Sequence, residues 1–385
     1  MSEPLAVSLD VSAVPANPAG AGRYTIDLVA ALGRRDDTAL TLIARRGDAG
    51  RWPGVAPGAR VLAVSPNPRP ARLAWEQTAM PAALAKAGVE VHHSPHYTMP
   101  ERAAVPVVVT VHDLTFFDHP EWHERTKVAL FRRAIRVAAR RAAVVVCVSH
   151  VTAAHLHAVA PPRGRTVVVP HGVDHGRFRP DPDSEADLAV LEALGIRPPY
   201  VAFVGTAEPR KGIATLVEAF DRVAGGHRHL TLVLAGGAGW GDGGLNRAVA
   251  GARHAGRIVR PGYVADPVVA PLLRRAAAVA YPSLAEGFGL PALEALACGA
   301  PLVTTEGTAM AEVTGSAALH VPPGDAAALA GAIDALVSGD PALAARRQEG
   351  LAVAARYTWE ASAEGHVAAY REAARATSGG RGRRQ

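Results

Sequence analysis

The feature that most constrains the fold of this chain is a series of short apolar runs separated by helical stretches, which occurs twice. Each run has the length of a buried strand, and each stretch between runs is long enough for a helix. In the first series the strand-like runs are residues 5–11, 39–44, 61–64, 105–111, 144–148 and 167–169, and the helices include 71–87, 125–141 and 151–159. This alternation is typical of a parallel sheet covered by helices on both faces.

The second series follows an acidic segment, residues 179–199, that has proline at both ends and predicts a linker with a short helix around residues 187–194. The strands then expected are residues 200–204, 230–235, 257–259, 277–281 and 318–321, and the helices are 212–223, 245–254, 267–275, 326–337, 342–356 and 360–373. Two successive α/β series predict two Rossmann-like domains, 1–178 and 200–356, that face a cleft. Ligands of such sheets bind beyond the carboxyl ends of the strands.

Bulk properties narrow the class of protein. A length of 385 residues suggests two domains, and no apolar run approaches the roughly 18 residues that a membrane span needs. The first residues lack the charged and apolar regions of a signal peptide, so a cytoplasmic location is expected. Cys147 and Cys298 form no disulfide framework and have no metal-ligand spacing, which predicts buried, inert thiols.

The formal net charge of +6 is compatible with an anionic ligand or an anionic lipid surface. It is too small to indicate nucleic acid as a partner. Helix 125–141 combines many arginines with an apolar face, so it can either rest on anionic lipid or simply pack with a solvated charged face. The second alternative is the commoner one for such helices.

The most informative stretch runs from Tyr281 to Thr305 and predicts a strand, a glycine-containing loop and a helix that starts at Leu290 or Pro291. A helix N-terminus offers unpaired N–H groups and partial positive charge, which favour phosphate. Gly287 and Gly289 allow the backbone to approach such a ligand closely. The loop before this helix is therefore a predicted phosphate site.

Two carboxylates flank this predicted phosphate site. Glu286 lies in the loop and Glu294 lies about one turn into the helix. Neither would contact phosphate, but each can accept hydrogen bonds from hydroxyl groups on either side of it. A sugar nucleotide has that layout, with a ribose, a diphosphate and a hexose. An isolated pair of glutamates at this spacing would more often be two solvated side chains.

Two other strand-to-helix loops carry candidate ligand contacts. Gly20 and Gly22 follow the first strand, although a short glycine pair alone is a weak signal. Gly205 ends the first strand of the second domain, and Arg210 and Lys211 precede its helix. Cations at a helix start are unfavourable for the helix dipole, which favours a role in binding a diphosphate over two merely solvated charges.

His112 ends a strand of the first domain, where a histidine alone would more often be structural. Phe116, Phe117 and Trp122 follow it and can either line an acceptor slot or pack the domain. Asp181-Pro182-Asp183 imitates the D-x-D motif of metal-dependent transferases, but it lies in the predicted linker and is interpreted as a coincidence. No other carboxylate cluster suggests a divalent cation, so no metal site is expected.

Together these motifs resemble the retaining glycosyltransferases with the GT-B fold, of the family 4 or "glycosyl transferases group 1" type. The resemblance covers nearly the whole chain, and its most specific motif is E-G-F-G-L-P-A-L-E-A (286–295). The matching elements are V-H-D (111–113), P-H-G-V-D (170–174, with His171 in place of asparagine), E-P-R-K-G (208–212), G-Y-V (262–264), E-G-F-G-L-P-A-L-E-A (286–295) and Y-T-W-E (357–360).

The resemblance implies transfer of a hexose, with retention, from a nucleotide diphosphate sugar to a hydroxyl acceptor. The implied catalytic residues are His112, Glu286, Lys211 and Arg210. The implied donor-binding residues are Gly20, Gly22, Gly205, Arg210, Lys211, Val264, Glu286, Gly287, Phe288, Gly289, Leu290 and Glu294. In this assignment Glu294 holds the ribose, the backbone of Val264 holds the base, and His112 supports the anomeric centre.

The resemblance also implies that no cofactor or metal is needed, and it favours GDP-mannose over UDP-sugars as the donor. A C-terminal helix, 357–375, would cross back to the first domain, and residues 376–385 would form a disordered basic tail. Within enzymes, the alternative is a nucleotide-sugar epimerase of similar architecture. Outside enzymes, it is a catalytically silent protein that binds a sugar nucleotide. The oligomeric state is not predicted by any of these motifs.

Overall fold

The computed structural model describes residues 3–18, 20–180, 184–237, 243–339 and 341–381. The chain forms two compact units. Unit 1 comprises Met1–Pro120, Glu124–Gly172 and Trp359–Gln385, and unit 2 comprises Glu121–His123 and Val173–Thr358. The segment 181–183, which carries the D-x-D imitation, lies outside the described residues.

The described part of unit 1 is built on a parallel sheet of seven strands in the order β3-β2-β1-β4-β5-β6-β7. Its strands are β1 (Leu5–Asp10), β2 (Thr38–Arg45), β3 (Arg60–Ser65), β4 (Val91–Ser94), β5 (Val107–Val111), β6 (Val144–Cys147) and β7 (Arg165–Val168). The helices are α1 (Ala21–Leu32), α2 (Trp52–Val55), α3 (Arg69–Thr78), α4 (Met80–Ala87), α5 (Thr115–Asp118), α6 (Arg125–Arg141) and α7 (His150–Val159). The strand order reverses between β1 and β4, which makes their carboxyl ends a natural ligand site.

Strand β4 is absent from the sequence prediction because its four residues include two histidines. Both histidines are fully buried, and one ring nitrogen of each lies within hydrogen-bond distance of a hydroxyl group from a neighbouring strand. His92 Nδ1 lies 2.9 Å from Ser8 Oγ, and His93 Nε2 lies 2.8 Å from Thr110 Oγ1. The helix expected at 71–87 is also divided into α3 and α4, since Pro81 cannot donate the backbone hydrogen bond that a continuous helix needs.

The described part of unit 2 contains a parallel sheet of six strands in the order β10-β9-β8-β11-β12-β13. Its strands are β8 (Tyr200–Val204), β9 (Thr231–Ala235), β10 (Ile258–Gly262), β11 (Ala278–Tyr281), β12 (Leu302–Thr305) and β13 (Leu319–Val321). Its helices are α8 (Ser184–Glu192), α9 (Ile213–Val223), α10 (Gly243–Gly251), α11 (Asp266–Arg274), α12 (Leu290–Ala297), α13 (Ala309–Thr314), α14 (Ala326–Val337) and α15 (Leu343–Ala354). The α/β fold class predicted from the sequence is confirmed in both units.

The segment expected to be a linker is held against unit 2 by a buried ion cluster. Helix α8 carries Asp187, whose side chain is 5% exposed. Its carboxylate accepts hydrogen bonds from Arg274 at 2.7 Å and from Arg275 at 2.9 Å. A buried carboxylate is tolerated when it is paired and hydrogen-bonded in this way, so α8 belongs structurally to unit 2.

The last helix, α16 (Trp359–Arg381), belongs to unit 1 and packs on α1 and the middle of its sheet. Its buried residues Trp359, Val367 and Tyr370 lie in the same core cluster as Tyr24 of α1. The helix extends to Arg381, so the segment predicted as a disordered tail begins inside it. Residues 382–385 lie outside the described residues.

A network of buried polar side chains fixes α16 to the sheet of unit 1. Tyr24 Oη lies 2.9 Å from Thr110 Oγ1 and 2.8 Å from His366 Nε2. Tyr370 Oη lies 2.8 Å from His93 Nδ1. His366 Nδ1 donates to the carbonyl oxygen four residues earlier in α16, so its Nε2 accepts the hydroxyl hydrogen of Tyr24. The network is satisfied when the histidines are neutral.

Unit 1 buries several histidines, and burial lowers the pKa of each. The pKa falls to about 4 for His92 and for His366. The pKa of His96 falls to about 3, and the pKa values of His93 and His171 lie well below the usual range. Unfolding would return all of them to an ordinary pKa near 6.5.

We predict that unit 1 loses stability as the pH falls from 6.5 towards 4. In this window the unfolded chain binds more protons than the folded chain, so the free energy of unfolding decreases. Glu76 acts in the opposite direction because its pKa is raised to about 7, mainly by burial, but it is one group against several histidines. We expect a loss of more than about 3 kcal/mol between pH 6.5 and 5, at about 1.4 kcal/mol per proton and pH unit.

Urea unfolding at pH 7.5, 6.5, 5.5 and 5.0, followed by circular dichroism, measures this loss. His366→Gln removes one of the titrating groups and should make the pH dependence shallower, whatever its effect on stability at pH 7.5. Equal unfolding midpoints at pH 7.5 and 5.0 would contradict the prediction.

Candidate functional site

Three neighbouring strands of unit 2 end in glycines that lie unusually close together. Gly205 follows β8 and donates its N–H to the carbonyl of Ala235 at 2.9 Å, and Gly236 donates to the carbonyl of Gly262 at 2.8 Å. A Cβ at Gly236 would lie 2.0 Å from the carbonyl oxygen of Gly205. Only glycine allows the ends of β8, β9 and β10 to approach in this way.

A cavity of about 350 Å³ opens at these glycines. Phe203, Leu234 and Leu245 form an apolar floor, and Arg260 contributes a cation to the lining. Arg260 Nη1 donates to Asn246 Oδ1 at 2.9 Å, which orients the guanidinium. The volume lies in the range of small-molecule sites, and the apolar floor suits a flat ring.

The predicted cation pair lies on a short 3-10 turn, Pro209–Lys211, between β8 and α9. The turn is followed by Gly212, which has a left-handed φ of +64°. A Cβ at Gly212 would lie 2.1 Å from the carbonyl oxygen of Pro282, in the loop after β11. Since β8 and β11 are paired in the sheet, their carboxyl ends bring these two loops into contact.

Glu286 lies between the two cations of this turn. Arg210 Nη1 donates to Glu286 Oε2 at 2.8 Å, and Lys211 Nζ contacts Oε1 of the same carboxylate. Ser283 Oγ donates to Oε1 at 3.3 Å. Arg210 is oriented further by its Nε, which donates to Glu208 Oε2 at 2.7 Å. The structure therefore brings together three of the four residues implied to be catalytic.

These charges are shielded from solvent, which strengthens their coupling. The side chain of Glu286 is 9% exposed and that of Lys211 is 12% exposed. Burial raises the pKa of Glu286, but the attraction of Lys211 and Arg210 is stronger and lowers it to about 2. The pKa of Lys211 is also lowered, because its burial and the charge of Arg210 outweigh the attraction of Glu286. Glu286 is thus a carboxylate at neutral pH.

Helix α12 begins beside this cluster. Its N-cap, Gly289, has φ +103°, and a Cβ there would lie 2.6 Å from Met310 Cγ, so the loop is pressed against α13. Pro291 lies in the first turn, which contains no acidic residue. The positive end of the helix is therefore not neutralised by a carboxylate within its own first turn.

The other predicted donor residues of unit 2 surround this helix start. Gly287 and Phe288 are buried, and the ring of Phe288 lies 5.9 Å from that of Tyr357 in an edge-to-face contact. Leu290 is half-buried as the first residue of α12. Phe288 therefore packs within unit 2 and shapes the loop.

The two residues assigned to the ribose and the base are placed on α12 and after β10. Glu294 is half-buried, and its charge adds to the effect of burial in raising the pKa of Tyr281 at the end of β11. Val264 is 7% exposed, whereas the adjacent Tyr263 is 71% exposed. Val264 is thus held in place by its side chain, at the turn that follows the glycine cavity.

Three predicted site residues belong to unit 1. Gly20, with φ +47°, precedes α1, and Gly22 lies in its first turn against Pro15 and Pro18. His112 follows β5, and its Nε2 donates to the carbonyl of Pro95 at 2.8 Å.

The same hydrogen bond fixes the tautomer of His112, since the carbonyl can only accept. Nδ1 therefore carries the lone pair when the ring is neutral. Burial lowers the pKa of His112, which favours the neutral ring at pH 7. The imidazole also meets the ring of Tyr24 edge to face, with centroids 4.8 Å apart.

The aromatic residues after His112 are accounted for mainly by packing. Phe116 is 1% exposed and lies in the core cluster beneath α6. The ring of Phe117 lies under the guanidinium groups of Arg132 and Arg136. Trp122 is half-buried. The packing alternative thus holds for the two phenylalanines.

The basic helix α6 uses several of its cations inside unit 1. Arg132 donates to the carbonyls of Phe116 and Phe117, both at 2.8 Å, and Arg141 donates to the carbonyl of Glu101 at 2.8 Å. Arg133 pairs with the carboxylate of Glu101. Among the described residues, no helix is both long and apolar enough to cross a bilayer.

Sequence reasoning missed the residues that orient the cations. Glu208 accepts a hydrogen bond from Arg210, and Ser283 donates one to Glu286. Glu208 lies in the E-P-R-K-G element but was given no predicted role there, and Ser283 belongs to no recognisable motif. The one available signal is the position of Glu208 directly before the Pro209–Lys211 turn. Within the described ranges, no group of three or more His, Cys, Asp or Glu side chains is arranged to hold a metal ion.

Comparison with known families gives two matches that together cover most of the chain. Residues 18–177 match the model of Glycosyltransferase Family 4, and residues 198–339 match that of Glycosyl transferases group 1. Over 283 residues the chain is 30% identical to O-antigen chain mannosyltransferase B of Escherichia coli, covering 73% of this chain and 74% of that protein. Alignments to further relatives span between 36% and 54% of the relative's length.

Solved structures extend the similarity over both units. Sucrose-phosphate synthase from Thermosynechococcus elongatus superimposes with a TM-score of 0.77 at 25% identity, over 96% of this chain and 98% of that one. HepE of Anabaena, in complex with UDP-glucose, gives a TM-score of 0.71 at 20% identity, over 94% and 97%. The predicted GT-B architecture of two Rossmann-like units is confirmed.

We predict that Gly212→Ala disrupts the cation cluster. A left-handed alanine costs about 1 kcal/mol, and the added methyl group must displace the Pro282 carbonyl. We expect the free energy of unfolding to fall by more than about 2 kcal/mol. Gly195→Ala is the matched control, because Gly195 has φ +71° and nothing within 4 Å of its Cβ position. Urea unfolding should show only the backbone cost, about 1 kcal/mol, for the control. Equal losses in the two variants would mean that the Gly212–Pro282 contact is not tight.

Proposed function

Because the chain belongs to the glycosyltransferases of group 1 and family 4, we propose that it transfers a hexose, with retention, from a nucleotide diphosphate sugar to a hydroxyl acceptor. The observation that carries the proposal is the cluster of Arg210, Lys211 and Glu286 beside the start of α12 and next to a glycine-lined cavity. Such a combination can stabilise an anionic leaving group and hold a flat base.

The base of the donor occupies the cavity of about 350 Å³ in this proposal. The apolar floor of Phe203 and Leu234 supplies a surface for the ring, and the turn at Val264 supplies backbone groups for its edge. The ribose lies against Glu294, whose carboxylate accepts hydrogen bonds from its hydroxyl groups.

The diphosphate lies at the N-terminus of α12, within reach of Lys211 and Arg210. Backbone N–H groups and the helix dipole favour the negative charge, and the two cations add charge-assisted hydrogen bonds. An ammonium group has three donors, and the contact with Glu286 uses one of them. Charge that develops on the leaving diphosphate is stabilised by groups already in position.

Glu286 then has two roles in the proposed mechanism. It holds Arg210 and Lys211 in place through hydrogen bonds present without ligand, so it is first a positioning residue. In the complex its carboxylate also accepts a hydrogen bond from the hexose, as the family resemblance implies. Removing it would leave two adjacent cations in a buried site.

In the transfer step the bond between the anomeric carbon and the diphosphate oxygen breaks, and a bond from the acceptor oxygen to that carbon forms on the same face. The acceptor proton passes to the leaving diphosphate, which balances the step. The family resemblance implies that His112 supports the anomeric centre. Its Nε2–H is held by the Pro95 carbonyl and burial lowers its pKa, so the group that acts is a neutral imidazole.

GDP-mannose is the favoured donor, because the sequence resemblance favours it and a relative aligned over 73% of this chain is named a mannosyltransferase. UDP-glucose is the second candidate, from the neighbour solved with that ligand. The candidate acceptors are a glycan, a lipid-linked sugar and a small molecule.

We predict that one nucleotide sugar in a panel of GDP-mannose, UDP-glucose and UDP-N-acetylglucosamine binds with Kd in the micromolar range and is slowly hydrolysed.

Glu294→Ala should weaken the binding of this nucleotide sugar by about 1–3 kcal/mol, the cost of lost hydrogen bonds to a charged group. Calorimetry measures the affinities, and Glu218→Ala, on the exposed face of α9, is the control. Unchanged affinity in Glu294→Ala would remove this residue from the site. Formation of an epimeric nucleotide sugar, detected by NMR, would replace the transferase with an epimerase.

We further predict that donor hydrolysis continues in EDTA. Lys211, Arg210 and the start of α12 would supply the charge stabilisation that a divalent ion provides in other transferases. The rate should stay within about twofold of that in Mg²⁺. An absolute requirement for Mg²⁺ or Mn²⁺, restored by adding the metal back, would contradict the metal-free mechanism.

A further inference from the structure

Unit 1 contains a second and larger cavity, of about 580 Å³, at the carboxyl ends of β1, β2 and β4. The first turn of α1 forms one side, including Gly22, while α3 and α6 contribute the others. This position is the point where the strand order of the sheet reverses, which is where open α/β sheets bind ligands. The proposed mechanism gives no role to the charged residues that line it.

Four cations line this cavity, against one carboxylate, that of Asp10. The cations are Arg45, Arg69, Arg72 and Lys127. They come from three separate elements, namely the end of β2, helix α3 and helix α6. Cations from separate elements that converge on one cavity repel one another, so an anion bound there would stabilise them.

Three of the four cations have a carboxylate nearby, and these carboxylates offset them only in part. Arg45 pairs with Asp48 at 3.2 Å. Arg72 lies 4.0 Å from Glu76, a distance at the limit of an ion pair. Burial and the charge of Asp10 raise the pKa of Glu76 to about 7, so near neutral pH much of it is protonated. Lys127 pairs with Glu124 at 2.8 Å, but both side chains are solvent-exposed and the pair is weak.

The positive potential also reaches His96, another lining residue. Burial is the main reason that its pKa falls to about 3, and the charges of His112, Arg72 and Arg69 lower it further. A neutral His96 leaves the cations as the charges that face the cavity, opposed by Asp10.

Two buried donors in the lining have no partner within the described part of the chain. Ser12 is 2% exposed, and its hydroxyl oxygen makes no hydrogen bond there. The Nε of Arg45 is likewise buried without an acceptor, although its Nη2 donates to the carbonyl of Val14 at 2.7 Å and to Asp48 at 3.2 Å. Buried polar groups are normally hydrogen-bonded, so this hydroxyl and this guanidinium N–H are two donors that acceptor oxygens of a ligand, or ordered water, would satisfy.

We propose that this cavity binds a phosphate group carried by the acceptor, so that the acceptor is a phosphorylated hydroxyl compound. Phosphate oxygens match the guanidinium groups of Arg45 and Arg72, the hydroxyl of Ser12 and the backbone N–H groups at the start of α1. Asp10 is placed to accept hydrogen bonds from hydroxyl groups of the same molecule. That the bound molecule is the acceptor rests on the proposed transferase function, whereas the phosphate site itself does not.

The cavity also lies beside the residue assigned to the anomeric centre. Pro95 lines it, and the Pro95 carbonyl accepts the hydrogen bond from His112. An acceptor anchored by its phosphate among the arginines would present its other end towards Pro95 and His112. The volume of about 580 Å³ is sufficient for a sugar phosphate.

The test compares phosphorylated and neutral ligands on the full-length chain by calorimetry. The probes are glucose, glucose 6-phosphate, mannose, mannose 6-phosphate and inorganic phosphate. We expect each sugar phosphate to bind at least tenfold more tightly than its parent sugar, with an affinity that decreases as salt increases. Equal binding of phosphorylated and neutral sugars would overturn the proposal.

The variant Arg69→Gln/Arg72→Gln should weaken sugar-phosphate binding at least tenfold, and the affinity for the nucleotide sugar should change less than twofold. Arg102→Gln/Arg140→Gln is the control, since both residues are exposed on unit 1 outside the cavity lining. Arg69→Gln/Lys127→Gln, at more exposed positions, serves if the first variant does not fold. An equal loss for nucleotide sugar and sugar phosphate would assign these cations to the donor and overturn the proposal.

The outcomes also separate this site from the proposed function. If no nucleotide sugar binds but sugar phosphates still do, the transferase proposal fails while the phosphate site stands. A polyprenyl diphosphate-linked sugar in detergent is assayed beside the soluble sugar phosphates. Transfer to either one supports the proposal and identifies the source of the phosphate, and transfer only to neutral sugars overturns it.

Discussion

The buried carboxylate of Glu286 depends on the two cations that hold it, and the loops around it depend on the same contact. A carboxylate buried away from solvent is stable only when it is paired and hydrogen-bonded. Arg210 and Lys211 meet this need because Gly212 lets their turn lie against the Pro282 carbonyl. The site is therefore assembled before any ligand arrives, and a donor would find its cations already oriented.

In unit 1, too, buried polar side chains are stable because they are paired with one another. Its sheet contains a strand with two histidines, and its last helix comes from the other end of the chain. His93 of the strand and His366 of the helix are buried and neutral. His93 is hydrogen-bonded to Tyr370 and His366 to Tyr24, and both hydrogen bonds need specific tautomers. The arrangement gives α16 a unique position, and it makes the stability of unit 1 dependent on pH through the proton count of the histidines.

The two cavities differ in chemistry in a way that fits two substrates. The cavity of unit 2 has an apolar floor and glycine walls, with the cation pair at the adjacent helix start. The cavity of unit 1 is larger and is lined by arginines, unpaired buried donors and one carboxylate. The first suits a base and its diphosphate, and the second suits a polar molecule with an anionic group.

The amino-acid sequence by itself determined the α/β class, nearly every strand and the loop before α12, because apolar periodicity, glycine and proline act over a few residues. It also identified Arg210, Lys211 and Glu286 as separate candidates, yet it did not show that they form one cluster. That contact joins residues about 75 positions apart, and it exists because β8 and β11 are neighbours in the sheet. The strand β4, the histidine network and the arginine cavity of unit 1 were likewise decided only by the tertiary structure. Their residues come from distant segments, and no local pattern records which strand ends will lie side by side.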